Sequence, residues 1–187
     1  MIEGFSSLEL GALAGLVFLA GAVDALAGGG GLITLPAYLA AGLPPALLLG
    51  TNKLSSTLGT VASTLRYALN LKIDRAALPW MILASMLGSA LGAGLSLLLD
   101  PAWLKALLLA ALPLIAYAVL RKKDFGSEDR SGEFTDRERL QRSLAVTLPI
   151  GAYDGFFGPG TGTFFALGFS RVCRQDLLRA TAHAKIL

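Results

Sequence analysis

The chain is poor in the residues that carry most enzyme chemistry. Its 187 residues hold one cysteine, Cys173, and one histidine, His183. A lone cysteine excludes an internal disulfide and a thiolate cluster, and reads as a small apolar packing residue. No Ser-His-Asp, Cys-His or HExxH arrangement occurs, so a hydrolase is disfavoured and no catalytic residue, metal ligand or cofactor is expected. No Gly-Lys-Ser/Thr closes a glycine run, which leaves a phosphate-loop reading weak. The net charge of +3 comes without a basic stripe interleaved with aromatics, so nucleic acid is not an expected partner. The first ten residues lack Lys and Arg and carry Glu3 and Glu9. A secretory signal needs a positive n-region, so Leu8 to Ala27 reads as a retained membrane helix.

Charge is also scarce. Hydrophobic residues make up 54% of the chain and charged ones 16%, with a mean hydropathy of +0.63, which points to lipid as the solvent. Residues 121–142 hold seven bases and six acids, whereas the 24 residues from Ala76 to Leu99 hold none. A charge-free run of that length crosses a hydrocarbon core of about 30 Å as a helix.

Glycine, by contrast, is abundant, and its placement organises the chain. Asp24 stands in an apolar run, Gly28 to Gly31 follow it, and Pro44 and Pro45 precede Asn52 and Lys53. The pattern returns 130 positions later: Gly151, Ala152, Asp154, Gly158 and Gly160 repeat Gly21, Ala22, Asp24, Gly28 and Gly30. The ungapped match extends to Leu177, Leu178 and Thr181 against Leu47, Leu48 and Thr51. A broken, acid-bearing apolar segment repeated in two halves is the sequence pointer to a transporter site.

The expected fold is therefore an all-α polytopic membrane protein of two repeats, each with a glycine-broken or re-entrant segment. Residues 1–120 form the first repeat, 121–143 a charged cytoplasmic loop, and 144–187 the start of a second repeat. Gly11 and Gly15 in the first helix have small-xxx-small spacing for a close neighbour, as do Ala84, Gly88, Gly92 and Ser96. Gly31 to Leu43 is too short for an ordinary span and reads as a broken helix facing inward, because lipid cannot satisfy irregular backbone. The next helix is expected from Pro45 to Arg66 and a polar connection from Arg66 to Arg75. Both basic connections fall on one side, which the positive-inside bias makes cytoplasmic. The first half continues for 67 residues from Lys53 to Leu120, whereas only two residues follow Lys185. The second repeat is thus expected to be truncated, with roughly 65 further residues in a longer protein. A chain ending at Leu187 would be expected to form a homodimer.

Several groups are candidates for a site, each with two readings. Asp24 and Asp154 either couple transport to a proton or cation, or accept amides from their own glycine breaks and hold them in shape. The amides at Gly28, Gly29 and Gly30, and at Gly158, Gly160 and Thr161, either cradle an anion at a half-helix start or serve close packing of the halves. Lys53 and Lys185 either compensate an anion or pair with the aspartates, unless they snorkel to a helix end. Asn52, Ser56, Thr60 and Ser63 form a polar stripe that lines a path or glues helices. His183 is a proton carrier or a plain hydrogen-bond donor.

Taken in order, AVDALAGGGGLITLP, GTNKLSSTLGT, GAYDGFFGPGTGTF and RATAHAKIL resemble the sulfite-exporter family of bacterial membrane transporters, the TauE/SafE-like proteins. The resemblance covers both halves apart from the charged loop. It implies a multi-pass protein of the bacterial inner membrane that moves small anions, with sulfite, sulfonates and related organosulfur compounds as the substrate class. Its partners would be the lipid bilayer and that anion. A non-transporting membrane scaffold or assembly subunit is the alternative from another class, with the repeats serving packing only.

Overall fold

The computed structural model describes residues 6–26, 29–70, 74–120 and 128–187, and these are helical with no strand among them. Eight α-helices follow in order: α1 (Ser7–Leu26), α2 (Gly31–Ala40), α3 (Pro45–Asn70), α4 (Leu78–Leu97), α5 (Pro101–Leu120), α6 (Asp136–Phe156), α7 (Thr161–Val172) and α8 (Leu177–Ile186). Their starts follow local chemistry. Prolines open α3 and α5, where a missing amide costs nothing. Thr135 and Glu138 form a reciprocal capping box on α6, and Asp176 accepts the Arg179 amide at 3.0 Å to cap α8.

Two boundaries differ from the sequence expectation. Helix α3 runs past Arg66 to Asn70, whose side chain donates back to the Arg66 carbonyl at 2.8 Å. The charged loop is not loop to its end, since α6 begins at Asp136. The Thr135-x-x-Glu138 signature that starts it is present in the sequence, but the dense charge around it masked the helix.

The outward surfaces of the long helices are apolar. Among the described residues, α1 and α4 are long and apolar enough to span a bilayer, and neither is a buried core helix. Phe18, Leu58 and Leu91 are 76%, 69% and 66% exposed, an arrangement that water would penalise and acyl chains do not. The interior holds two apolar clusters. One joins Leu35, Tyr38, Leu48 and Leu112 to Phe157 from the far end of α6. The other gathers Met81, Val146, Phe165, Phe169 and the buried Cys173, which has the packing role its apolar surroundings imply.

Helices α4 and α6 make the closest seam. A Cβ on Gly92 would stand 2.7 Å from the Phe156 amide, and one on Gly155 would stand 2.6 Å from the Ser89 carbonyl carbon. Backbone therefore packs on backbone, as the spacing of Gly88 and Gly92 suggested. The Gly11–Gly15 strip is used differently: among the described residues, nothing lies within 4 Å of where a Cβ would be at either position. The close approach of α1 is made by Gly21 instead, against Gly59 of α3.

The described part of the charged segment is pinned to α6, to the connection between α7 and α8, and to the start of α8. Arg130 donates its amide to the Arg174 carbonyl at 2.8 Å, Asp129 pairs with Arg179, and the Arg142 guanidinium lies 4.0 Å over the Phe134 ring. Partial burial alone would raise the Asp129 carboxyl, but hydrogen bonds from Ser131 and Arg179 outweigh it and hold the group below the usual range.

Two outcomes follow for stability. Gly155→Leu is expected to lower the melting temperature in detergent micelles by the equivalent of roughly 1–3 kcal/mol, because the Ser89 backbone cannot yield; Gly94→Leu, in open space, should be near neutral. A group lowered on folding stabilises above its unfolded value and loses that contribution as pH falls through the folded one. Asp129 should thus contribute fully above about pH 4 and progressively less below it, so in melts taken from pH 6 to 2 Asp129→Asn should lose less stability than the unaltered protein, the remaining slope belonging to other lowered carboxyls such as Glu138.

Candidate functional site

The two glycine breaks meet. A Cβ on Gly31, where α2 starts, would lie 3.3 Å from the Pro159 Cα in the turn between α6 and α7, and 3.4 Å from the Asn52 amide nitrogen. Around this contact lies a cavity of about 180 Å³, bounded by the breaks, the inner face of α3 and the end of α8. Asp24, Asn52, Lys53, Asp154, Thr161 and Lys185 line it, with Gly29, Gly158 and Gly160.

The first break is closed by its own acid. One oxygen of Asp24 accepts the amides of Gly29 and Gly30 at 2.8 and 2.7 Å, and the other accepts the Ser56 hydroxyl at 2.6 Å. Those amides have left the helical ladder, and the carboxylate satisfies them where lipid offers no partner. Gly30 is required here, because a Cβ would fall 2.6 Å from the carboxylate it binds. The reading of Gly29 and Gly30 as amide donors to an anion is corrected accordingly: their N–H groups are already spent on Asp24. Gly28 lies outside the described residues.

The second break uses another device. The Tyr153 hydroxyl donates to the Pro159 carbonyl at 2.6 Å, and the Thr161 hydroxyl donates to the Gly158 carbonyl at 2.6 Å. Gly158 and Gly160 take φ of +90° and +76°, conformations strained for any residue with a Cβ. With the turn held by Tyr153, the Asp154 carboxylate is released to pair with Lys53 across the cavity.

The lysines cross between halves. Lys53 reaches from α3 to Asp154 on α6, and its stem packs against Gly158. Lys185 reaches from α8 to the backbone carbonyl of Asp24 at the end of α1, while its own carbonyl accepts the Thr64 hydroxyl at 2.7 Å. Neither lysine snorkels. Asn52 is buried and accepts the Thr34 hydroxyl, tying α3 to α2. Ser56 belongs to Asp24, while Thr60 and Ser63 bond to carbonyls of their own helix.

His183 is not brought to the cavity. It is buried against Phe169, its Nδ1 bonded to the Arg179 carbonyl at 3.0 Å, and it lines a separate void of about 10 Å³ with Gln175. Two residues away along a helix is nearly the opposite face, so Lys185 and His183 cannot share one site. Sequence reasoning missed Tyr153 and the bond from Ser56. A signal existed for the first: Tyr153 occupies the position of Val23 in the repeat, and a tyrosine in an apolar helix needs a partner for its hydroxyl.

A second cavity of about 510 Å³ lies between α3, α4 and α6, lined mainly by apolar residues and by Ser89 and Ser96. Lys53 and Asp154 line both cavities, so their ion pair stands in the shared wall.

Comparison with known proteins adds a family. The model of the family described as sulfite exporter TauE/SafE matches residues 13–187. The probable membrane transporter protein ORF9 of Sinorhizobium sp is 44% identical over 174 residues, covering 91% of this chain and 64% of that protein. The probable membrane transporter protein YfcA of Escherichia coli strain K12 is 37% identical over 182 residues, 97% of this chain and 66% of the relative. A probable membrane transporter protein of Haemophilus influenzae is 38% identical over 170 residues, 91% of this chain and 66% of the relative. The chain thus spans 64–66% of the length of these curated relatives. No solved structure matches it.

The first break tests the role of Asp24. Asp24→Ala strands two amides and a hydroxyl, and is expected to destabilise by roughly 1–3 kcal/mol per stranded group, against about 1 kcal/mol for Ser56→Ala. Thermal melts in micelles, with hydrogen exchange at Gly29 and Gly30, would measure it. Equal effects of the two substitutions would contradict the assignment.

Proposed function

The chain belongs to the sulfite exporter TauE/SafE family, and from that premise we propose that it forms the substrate-holding part of a secondary transporter for small anions in the bacterial inner membrane. One observation carries the reading: the two breaks, and the two lysines Lys53 and Lys185, line one cavity. Intramembrane charges facing an internal cavity are the usual mark of a translocation path.

In this reading the sequence repeat is a structural one. Helices α1, α2 and α3 correspond to α6, α7 and α8, and the short α2 and α7 are half-helices that enter the membrane without crossing it as ordinary spans. The N-terminus of α7, at Thr161, borders the cavity and offers it the positive end of a helix dipole, whereas that of α2 is already occupied by the Asp24 carboxylate. Lys53 and Lys185 supply full positive charge, Asn52 and Thr161 supply polar contacts, and rocking of one half against the other exposes the anion alternately to each side. A cavity of about 180 Å³ accommodates a sulfite or small sulfonate better than a nucleotide or sugar phosphate. The family description names sulfite as cargo, and sulfite, sulfonates and related organosulfur anions are the substrate class we assign.

Uptake of radiolabelled sulfite and methanesulfonate into proteoliposomes tests this. Lys53→Ala and Lys185→Ala should each lower uptake about tenfold or more while leaving the protein folded, since each removes a charge-assisted contact worth roughly 1.5–3 kcal/mol. Unchanged uptake in both variants would sink the site assignment, and no uptake by the unaltered protein would sink the transport reading.

A further inference from the structure

The side-chain charges around the cavity balance before any anion arrives. Lys53 on α3 and Lys185 on α8 face Asp24 on α1 and Asp154 on α6, and among the described residues α4 and α7 bring no titratable group to either cavity. A monovalent anion entering this space adds one uncompensated negative charge beside two carboxylates, and like charges at close range disfavour it. One carboxylate must therefore be neutralised.

The geometry distinguishes the two. Asp24 has both oxygens committed to three donors, and a proton there would break at least one of those bonds and loosen the turn. Asp154 instead faces Lys53, the cation that an entering anion needs. Its neighbour Tyr153 is tied to Pro159, and Lys185 to the Asp24 carbonyl, so neither replaces Lys53 as its partner. Asp154 also borders the 510 Å³ cavity, which leaves it accessible while an anion fills the smaller one.

We propose that Asp154 is the proton site of a coupled transporter: the anion takes Lys53 from Asp154, and the displaced carboxylate binds a proton from the larger cavity. Lys53 stays cationic throughout. The empty site is neutral through its ion pair, and the loaded site is neutral through lysine with anion and a protonated Asp154. Anion and proton consequently move together, one proton for each monovalent anion, without net charge. The inference rests on the transport reading above and adds the coupling ion to it.

Methanesulfonate is the probe, because its sulfonate binds no proton near neutral pH and any accompanying proton is carried by the protein. In proteoliposomes holding a pH dye, its uptake by the unaltered protein should acidify the lumen and be indifferent to an imposed membrane potential. In Asp154→Asn, uptake should fall, lumen acidification should be lost, and the remaining flux should respond to potential. Titration of methanesulfonate into the unaltered protein, in buffers of different ionisation enthalpy, should find about one proton taken up per anion bound. This second measurement needs no variant to fold. Uptake without acidification, or binding without proton uptake, would overturn the coupling and leave the transport reading standing. Absence of any uptake would overturn both.

Discussion

A helix that breaks frees peptide groups that must find new partners, and this constraint governs the rest of the molecule. At the first break the freed amides of Gly29 and Gly30 are taken by Asp24, and at the second the Pro159 carbonyl is taken by Tyr153. Each break is completed by contact with the other, Gly31 against Pro159, and by α3, which supplies Ser56 to the acid and Asn52 to Thr34. The polar interior is a consequence of that mutual closure, because turning both breaks inward also turns the acids and lysines inward.

The glycine seams have a matching role. Helices α4 and α6 approach until backbone meets backbone at Gly88, Gly92, Gly151 and Gly155, which fixes α6 along one side and with it the positions of Tyr153 and Asp154. On the other side α1 meets α3 at Gly21 and Gly59, which sets Asp24 beside Ser56. Close packing here places each acid to within the reach of a hydrogen bond, so side-chain bulk at the seams and charge placement in the cavity are one design problem. That both seams use glycine follows from lipid as solvent: with no hydrophobic drive between helices, attraction comes from close van der Waals contact.

Much of this was legible in the residues. The repeat at an offset of 130 picked out both acids and both breaks, a further shift of two residues matched Lys53 with Lys185, and the structure gathers Asp24, Asn52, Lys53, Asp154, Thr161 and Lys185 around one space. Legibility ended where the answer depended on which face of a helix a residue occupies. His183 sits two positions from Lys185 in the sequence but faces Phe169, and Gly11 and Gly15 have the spacing of a contact strip that no described neighbour uses. The start of α6 was obscured for a different reason, since a capping box within a charge-rich segment reads as loop until the helix behind it is seen.

The least legible feature is the division of labour between the two acids, and it turns on a single difference between the halves. Position 23 is valine and its counterpart is Tyr153. Valine has nothing to offer a broken turn, so in the first half the adjacent acid has to hold it, and Asp24 is immobilised by three donors. Tyrosine can reach the turn itself, and by doing so it releases Asp154 to the opposite lysine. The lysines diverge in step: Lys53 finds a carboxylate, whereas Lys185 finds only the carbonyl of a residue whose carboxylate is already committed. Two copies of one motif thus yield one acid fixed to the backbone and one exchangeable acid facing a cation. A pseudo-symmetric pair in which both acids were fixed would hold its shape but have no charge to trade with a ligand, and one in which both were exchangeable would have no means of keeping its breaks closed.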